Sequence, residues 1–136
     1  MSASVNLDDL KYATSHEWAA RSVGGDGDTV TVGITQYAVD QLTDVTHLQL
    51  PKVGSHVSAG VPFGEIESVK AVFDLNAPVS GTVIEVNTPL ASEPSPINED
   101  CYGKGWLIRV RLAPGAGTDH LADKAKYDAQ LAHDAH

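Results

Sequence analysis

Several residue types and patterns are scarce in this chain, and each scarcity excludes a class of protein. The single cysteine, Cys101, cannot form an intrachain disulfide, so nothing ties the chain to an oxidising compartment. No segment reaches the roughly 18 consecutive apolar residues that a membrane-spanning helix needs. The first residues, MSASVNLDDLKY, resemble neither a signal peptide nor an arginine-rich transit peptide. We therefore expect a cytoplasmic protein, or a mitochondrial matrix protein if a presequence has been removed.

Basic and aromatic residues are scarce as well. Nine Lys and Arg stand against 18 Asp and Glu, which gives a formal net charge of -9. Such a surface repels nucleic acid and anionic membranes, so we expect neither as a partner. Aromatic residues make up only 6%, so the core must rest mainly on Val, Leu, Ile and Ala. At 136 residues there is room for one compact domain, and we expect residues 1–136 to form a single, monomeric domain.

The hydrophobic pattern predicts a mainly β fold. Residues 17–23 and 29–34 alternate as strands do and flank a Gly-rich turn, so they predict a β-hairpin. Thr35 can then cap a short helix over QYAVDQL, because its hydroxyl can accept a bond from an amide of the first helical turn. From Val45 to Asn87, Pro and Gly residues separate short β segments at the spacing of a barrel or a sandwich.

The last third of the chain predicts three further elements. Residues 91–105 contain two prolines and two glycines and predict an ordered surface loop, which leads into the strand WLIRVRL. Alanines and leucines at three- and four-residue spacings then predict a C-terminal helix over about residues 118–131. The sequence thus predicts a β protein with one short helix in its N-terminal half and one C-terminal helix.

One lysine stands at the expected tip of a hairpin. The segment FGEIESVKAVFDLNAPVSG, about residues 63–81, has strand character on both sides of Val69, Lys70 and Ala71. A lysine at such a tip is accessible to a modifying enzyme that must enclose its side chain, and acylation of the amine removes the charge. An exposed lysine between strands is more often only a solvated charge that discourages aggregation. The pattern alone therefore favours an ordinary surface lysine.

Several motifs in the same order resemble those of the glycine cleavage H proteins. ESVKA is similar to the lipoylation motif of that family, and APVSGTVIEVN is similar to its return strand. Further segments match along the chain, and they are LKYATSHEW, TVTVGITQYAVDQL, LPKVGSHVSAG and INEDCYGKGWLIRV. Tyr127 lies where the family often has a tyrosine. The resemblance covers roughly residues 10–131, and the order of several independent motifs makes it specific.

The resemblance implies a barrel-sandwich hybrid fold of the lipoyl- and biotinyl-carrier type, without catalytic activity of its own. Lys70 would carry covalently attached lipoate. Glu67 and Gly81 match positions that help the lipoylating enzyme, a lipoyl ligase or transferase, to recognise the hairpin. Glu17 corresponds to the glutamate of the family's HEW motif, at a cleft that shelters the loaded arm.

The resemblance also implies three partner enzymes. The carrier would receive the aminomethyl group of glycine from the pyridoxal-phosphate-dependent glycine decarboxylase, the P protein. It would pass this group to the aminomethyltransferase, the T protein, and dihydrolipoamide dehydrogenase, the L protein, would reoxidise the arm. Tethering raises the effective concentration of the carried group at each enzyme.

Other functions remain open at this point. The chain can be a lipoyl donor or carrier for 2-oxoacid dehydrogenase complexes, or an unmodified interaction domain in which Lys70 is replaceable. A biotin carrier would typically have methionines where Val69 and Ala71 flank the lysine. An enzyme would need Cys101 or a serine beside a histidine, and no recognised nucleophile motif surrounds these residues. We expect no metal site, because the spaced pair His133 and His136 supplies only two ligands.

Overall fold

The computed structural model describes residues 10–22 and 27–134, with side chains through residue 132. The end of the first predicted strand at residue 23, most of the turn that follows it, and the side chains of His133 and His136 lie outside this part. The strands of the described part are β1 (Lys11–Tyr12), β2 (Glu17–Ser22), β3 (Thr29–Ile34), β4 (Val45–Gln49), β5 (His56–Val57), β6 (Pro62–Ser68), β7 (Val72–Asn76), β8 (Gly81–Val86) and β9 (Ile108–Leu112). The helices are α1 (Gln36–Leu42), α2 (Pro89–Ser92), α3 (Ser95–Glu99) and α4 (Lys124–Asp134).

The larger sheet has six antiparallel strands in the order β1-β2-β3-β9-β8-β5. The predicted hairpin of β2 and β3 is present, with Glu17 paired to Ile34 at one end and Ser22 paired to Thr29 at the other. Strand β3 also pairs with β9, and the alternating apolar residues of both strands point to the same side because side chains alternate along a strand. The buried residues on this side include Val30, Val32, Ile108 and Val110.

The smaller sheet has three antiparallel strands in the order β4-β6-β7, and it contains the hairpin with the lysine. Ile66 of β6 pairs with Phe73 of β7, and both belong to the face that turns toward the core. Leu48 of β4 pairs with Ile66 from the other side and is equally buried. One face of this sheet therefore closes the core opposite the larger sheet, and its outer face carries charged residues.

Helix α1 occupies the residues that the sequence predicts. The hydroxyl of Thr35 accepts a hydrogen bond from the amide of Ala38 at 3.4 Å, which satisfies one of the unpaired donors of the first turn. The helix buries Ala38, Val39 and Leu42 against the main core. This prediction of helix and cap is confirmed.

Two predicted elements differ from the structure. The expected loop over residues 91–105 contains the short helix α3 and the end of α2. Both helices have a proline in the first turn, where its missing N–H is not needed, and each buries one apolar side chain. The C-terminal helix begins at Lys124 and not near residue 118, because the amide and carbonyl of Ala122 pair with Tyr12 at 2.9 and 2.8 Å.

Along residues 10–22 and 27–134, no helix is long and apolar enough to cross a membrane.

Candidate functional site

Lys70 lies in the exposed turn between β6 and β7, as the sequence predicts. One side chain organises this turn: the hydroxyl of Ser68 accepts hydrogen bonds from the amides of Lys70 and Ala71, both at 3.1 Å. The amide of Ser68 in turn donates to the carbonyl of Ala71 at 2.8 Å. Ser68 was not among the residues predicted from the sequence, although a serine that bonds to the backbone two residues later is a known turn signal.

The residues on either side of the lysine at the tip are apolar. Val69 is 75% exposed and Val72 is 57% exposed, on either side of the exposed Lys70. The ion pairs within the described part of the chain do not include Lys70. The carboxylate of Glu67 therefore does not hold the lysine amine in an ion pair, although Glu67 lies on the same strand three residues earlier. The tip presents a free cation between two exposed valines.

Gly81 lies in the other sheet, where it begins β8 opposite Leu112 of β9. A Cβ atom at this position would lie 2.0 Å from the carbonyl oxygen of Arg111 and 2.7 Å from Cγ1 of Val110. Because no side chain fits into this space, the close approach of β8 to β9 requires glycine here. The structure thus gives Gly81 a packing role and does not place it beside Lys70 in the same sheet.

A cavity of about 380 Å³ opens beside the hairpin. The inner face of the hairpin forms one wall of the cavity, helix α1 forms another, and the segment before β2 closes the third side. The residues that line it are Ser15, His16, Glu17, Ile34, Tyr37, Ala38, Gln41, Leu42, Ile66, Phe73, Asp74, Leu75 and Asn76. The lining combines apolar side chains with polar and charged ones, as sites that bind small molecules do.

Glu17 is the buried carboxylate of this cavity, with only 1% of its surface exposed. Its carboxylate accepts a hydrogen bond from the amide of Asn76 in β7 at 3.0 Å and another from the hydroxyl of Ser15. Burial raises the pKa of Glu17 from 4.5 to about 7, although the two hydrogen bonds act in the opposite direction. Glu17 therefore lies at a cleft and is not an exposed strand residue, and it can hold a proton or face a cation near neutral pH.

Cys101, the one candidate thiol nucleophile, is buried and remains protonated. Its surroundings raise the pKa of the thiol to about 12, chiefly because burial disfavours the thiolate. The carbonyl of Cys101 accepts a hydrogen bond from the indole N–H of Trp18 at 3.0 Å. A buried thiol of this kind does not supply the thiolate that a cysteine nucleophile needs. Trp18 is buried as well.

Comparison with known proteins assigns the chain to a family. Residues 10–134 match the family described as "Glycine cleavage H-protein". A glycine cleavage system H protein of Rubrobacter xylanophilus is 58% identical over 105 residues, which cover 77% of this chain and 80% of that protein. The mitochondrial glycine cleavage system H protein 2 of Arabidopsis thaliana is 49% identical over 125 residues, or 92% of this chain and 78% of that protein.

A solved structure gives the same result for the fold. The crystal structure of a glycine cleavage system H protein from Mycobacterium marinum superposes with a TM-score of 0.82 and 41% sequence identity. The match covers 92% of this chain and 98% of that chain, so the predicted barrel-sandwich fold of the lipoyl-carrier type is confirmed. The chain belongs to the glycine cleavage H-protein family, whose members are non-catalytic lipoyl carrier subunits.

Proposed function

We propose that this chain forms a single domain that carries lipoate on Lys70 and shuttles the aminomethyl group of glycine. What carries the proposal is the position of Lys70: it is the exposed, unpaired cation at the tip of a hairpin in a chain of the H-protein family. The amine can enter the active site of a lipoyl ligase or transferase without unfolding the hairpin, because only the turn from Ser68 to Ala71 surrounds it.

When attached, lipoate supplies a disulfide that accepts the aminomethyl group at glycine decarboxylase, and a dithiol that dihydrolipoamide dehydrogenase reoxidises after the aminomethyltransferase has taken the group. The residues of the chain present and shelter the arm. The apolar side chains of Ile66, Phe73 and Leu75 exclude water from one side of the cavity. The carboxylate of Glu17 faces the cavity from the other side and can neutralise a cationic amino group there.

The residues present fit an arm of this length. Lys70 follows Ile66 by four residues and precedes its partner Phe73 by three, which corresponds to roughly 10 to 13 Å along the strands. An amide-linked lipoyl group counts about twelve bonds from the Cα atom of Lys70, and an extended chain of this length spans roughly 14 Å. An arm on Lys70 is therefore long enough to reach the cavity beside its own hairpin.

Glu67 and Gly81 enter the proposal in different ways. Glu67 is half-buried on β6, paired with His47 and Val72, so its carboxylate stands on the outer face near the tip where a lipoylating enzyme would approach. Gly81 acts through the packing of β8 on β9 rather than through contact at the tip. We place the protein in the cytoplasm, or in the mitochondrial matrix if a presequence has been removed, since a mitochondrial relative exists.

Intact-mass analysis after co-expression with a lipoylating enzyme and lipoate tests the proposal. The wild-type protein should gain the mass of one lipoyl group, and Lys70→Arg should gain none. Lys52→Arg is the matched control, since Lys52 is also an exposed lysine in a turn and should leave lipoylation unchanged. Equal lipoylation of Lys70→Arg and wild type, or no lipoylation of either, would contradict the proposal.

A reconstituted exchange of glycine with bicarbonate separates glycine cleavage from lipoyl donation. The lipoylated wild-type protein should support this exchange with glycine decarboxylase, and Lys70→Arg should not. A lipoylated protein that fails in this exchange yet transfers lipoate to a 2-oxoacid dehydrogenase complex would be a lipoyl donor and not the proposed carrier.

A further inference from the structure

Tyr127 lies outside the cavity, yet its hydroxyl contacts a residue that lines it. Tyr127 belongs to α4 and is buried, with 3% of its surface exposed. Its hydroxyl lies 2.8 Å from Nδ1 of His16, which lines the cavity, and 2.7 Å from Oγ1 of Thr35, which caps α1. One hydroxyl therefore joins the C-terminal helix to two neighbouring parts of the cavity wall.

His16 has an unusual backbone conformation that these contacts hold in place. Its φ angle is +74°, in the left-handed region that residues other than glycine seldom adopt. Its carbonyl accepts a hydrogen bond from the amide of Thr35 at 3.0 Å, and its ring lies 4.5 Å from the ring of Tyr37, which also lines the cavity. A strained residue of this kind persists only where its surroundings determine its position, and such residues cluster at ligand sites.

The ring of Tyr127 is fixed independently of its hydroxyl. It stacks on the ring of Tyr12 with centroids 4.5 Å apart and an interplanar angle of 5°. A neutral tyrosine hydroxyl donates one hydrogen bond and accepts others, which suits one donor and one acceptor contact with His16 and Thr35. Removing only the hydroxyl would therefore keep the stacked ring but release the contact to the cavity wall.

We propose that Tyr127 is a positioning residue, whose hydroxyl holds His16 and the start of α1 as the wall of the cavity that shelters the group carried on Lys70. This inference rests on the proposed function for the carried group. Its structural part, the fixing of His16, does not require lipoate. The C-terminal helix thereby contributes to the lifetime of the loaded arm without touching it.

Two tyrosine variants test the inference as a matched pair. Tyr127→Phe removes the hydroxyl that contacts His16. Tyr102→Phe removes a hydroxyl that accepts a hydrogen bond from the amide of Gln36 at 2.9 Å, also at the start of α1. Neither Tyr102 nor Gln36 lines the cavity. The lipoylated proteins are loaded from labelled glycine by glycine decarboxylase, the decarboxylase is removed, and the half-life of the bound label in water is measured.

Tyr127→Phe should shorten this half-life about five-fold, the effect expected from the loss of one net hydrogen bond, and Tyr102→Phe should leave it within two-fold of wild type. His16→Asn provides the coupling test, because asparagine tolerates the left-handed conformation. In the His16→Asn background, Tyr127→Phe should shorten the half-life by less than two-fold, since the residue acts through His16. The inference would be overturned if both tyrosine variants shortened the half-life equally. It would also be overturned if Tyr127→Phe still shortened the half-life five-fold in the His16→Asn background.

Hydrogen exchange of the unlipoylated protein gives a second, independent result. The amide of Thr35, which donates to the carbonyl of His16, should exchange about five-fold faster in Tyr127→Phe than in wild type and be little changed in Tyr102→Phe. Unchanged exchange would overturn the positioning role even if Lys70 carries lipoate. Faster exchange in a protein that never accepts lipoate would instead refute the proposed function and retain the contact between Tyr127 and His16.

Discussion

The two ends of the lysine-bearing hairpin differ in their exposure to water and in the residues that hold them in place. At the tip, the hydrogen bonds of Ser68 stay within the turn, and Val69 and Lys70 are exposed to water. At the base, the amide of Asn76 donates to the buried Glu17 across to the larger sheet, and Gly81 follows in a space too small for a side chain. The tip depends on local bonds, whereas the base depends on residues that are distant in sequence.

This difference fits what a carrier must do. The attachment lysine must enter other proteins, so few contacts can hold it. A cavity that shelters a carried group must keep its shape, and two residues that line this one, His16 and Glu17, each have more than one hydrogen-bond partner. Changes at the base should therefore alter the stability of the fold, and changes at the tip should alter modification more than stability.

The largest effect is expected from Gly81→Ala, just beyond the base, where the chain enters β8 of the larger sheet. The new Cβ atom would lie 2.0 Å from the carbonyl oxygen of Arg111, which is backbone and cannot move without separating β8 from β9. Urea unfolding should show a loss of at least about 3 kcal/mol in the free energy of unfolding. Gly117→Ala is the control, because its nearest heavy atom is the end of the Arg21 side chain at 3.9 Å. Similar stability of both variants would remove the distinction drawn for the base.

A smaller, pH-dependent effect is expected from Glu17→Gln. The pKa of Glu17 rises from 4.5 to about 7 on folding, so over this range the folded protein binds a proton that the unfolded chain has released. The stability that Glu17 contributes is thus fully present below about pH 4.5 and is lost as the pH rises through 7, by roughly 3 kcal/mol in total.

Urea unfolding from pH 4 to pH 8 checks this expectation. The free energy of unfolding of wild type should fall relative to that of Glu17→Gln as the pH rises. The reason is that glutamine keeps the oxygen that accepts the hydrogen bond from the amide of Asn76 but does not titrate. Glu99→Gln, at an exposed helix end, should give a curve parallel to wild type in the upper part of the range. A curve for Glu17→Gln parallel to wild type would show that Glu17 titrates normally in the folded protein.

The smallest effect on stability is expected at the tip. Ser68→Ala removes the acceptor of two amide hydrogen bonds, but water can replace it, so the free energy of unfolding should fall by only about 0.5 kcal/mol. A looser turn presents Lys70 less uniformly, so the rate of lipoylation, followed by intact mass, should fall about two- to three-fold. Ser92→Ala, at an exposed helix end, should change neither quantity. A stability loss above about 2 kcal/mol would mean that the tip belongs to the packed part of the fold.

Much of this arrangement was predictable from local patterns. The alternation of Val30 and Val32, the cap at Thr35 and the turn around Lys70 each depend on residues within a few positions of one another. Predictions based on the same patterns were wrong where contacts from elsewhere decided the outcome. The start of α4 is an example. The alanine spacing predicts a start near residue 118, but Ala122 pairs with Tyr12, so the helix begins only at Lys124.

The sequence by itself determined the mainly β fold, the helix after Thr35 and the placement of Lys70 between two strands, because hydrophobic alternation and turn residues act over short distances. Only the tertiary structure decided that Glu17 is buried with a raised pKa, that Gly81 is required by the approach of Arg111, and that Tyr127 reaches His16. Burial and contacts between residues far apart in the chain are properties of the packed fold, and no local pattern encodes them.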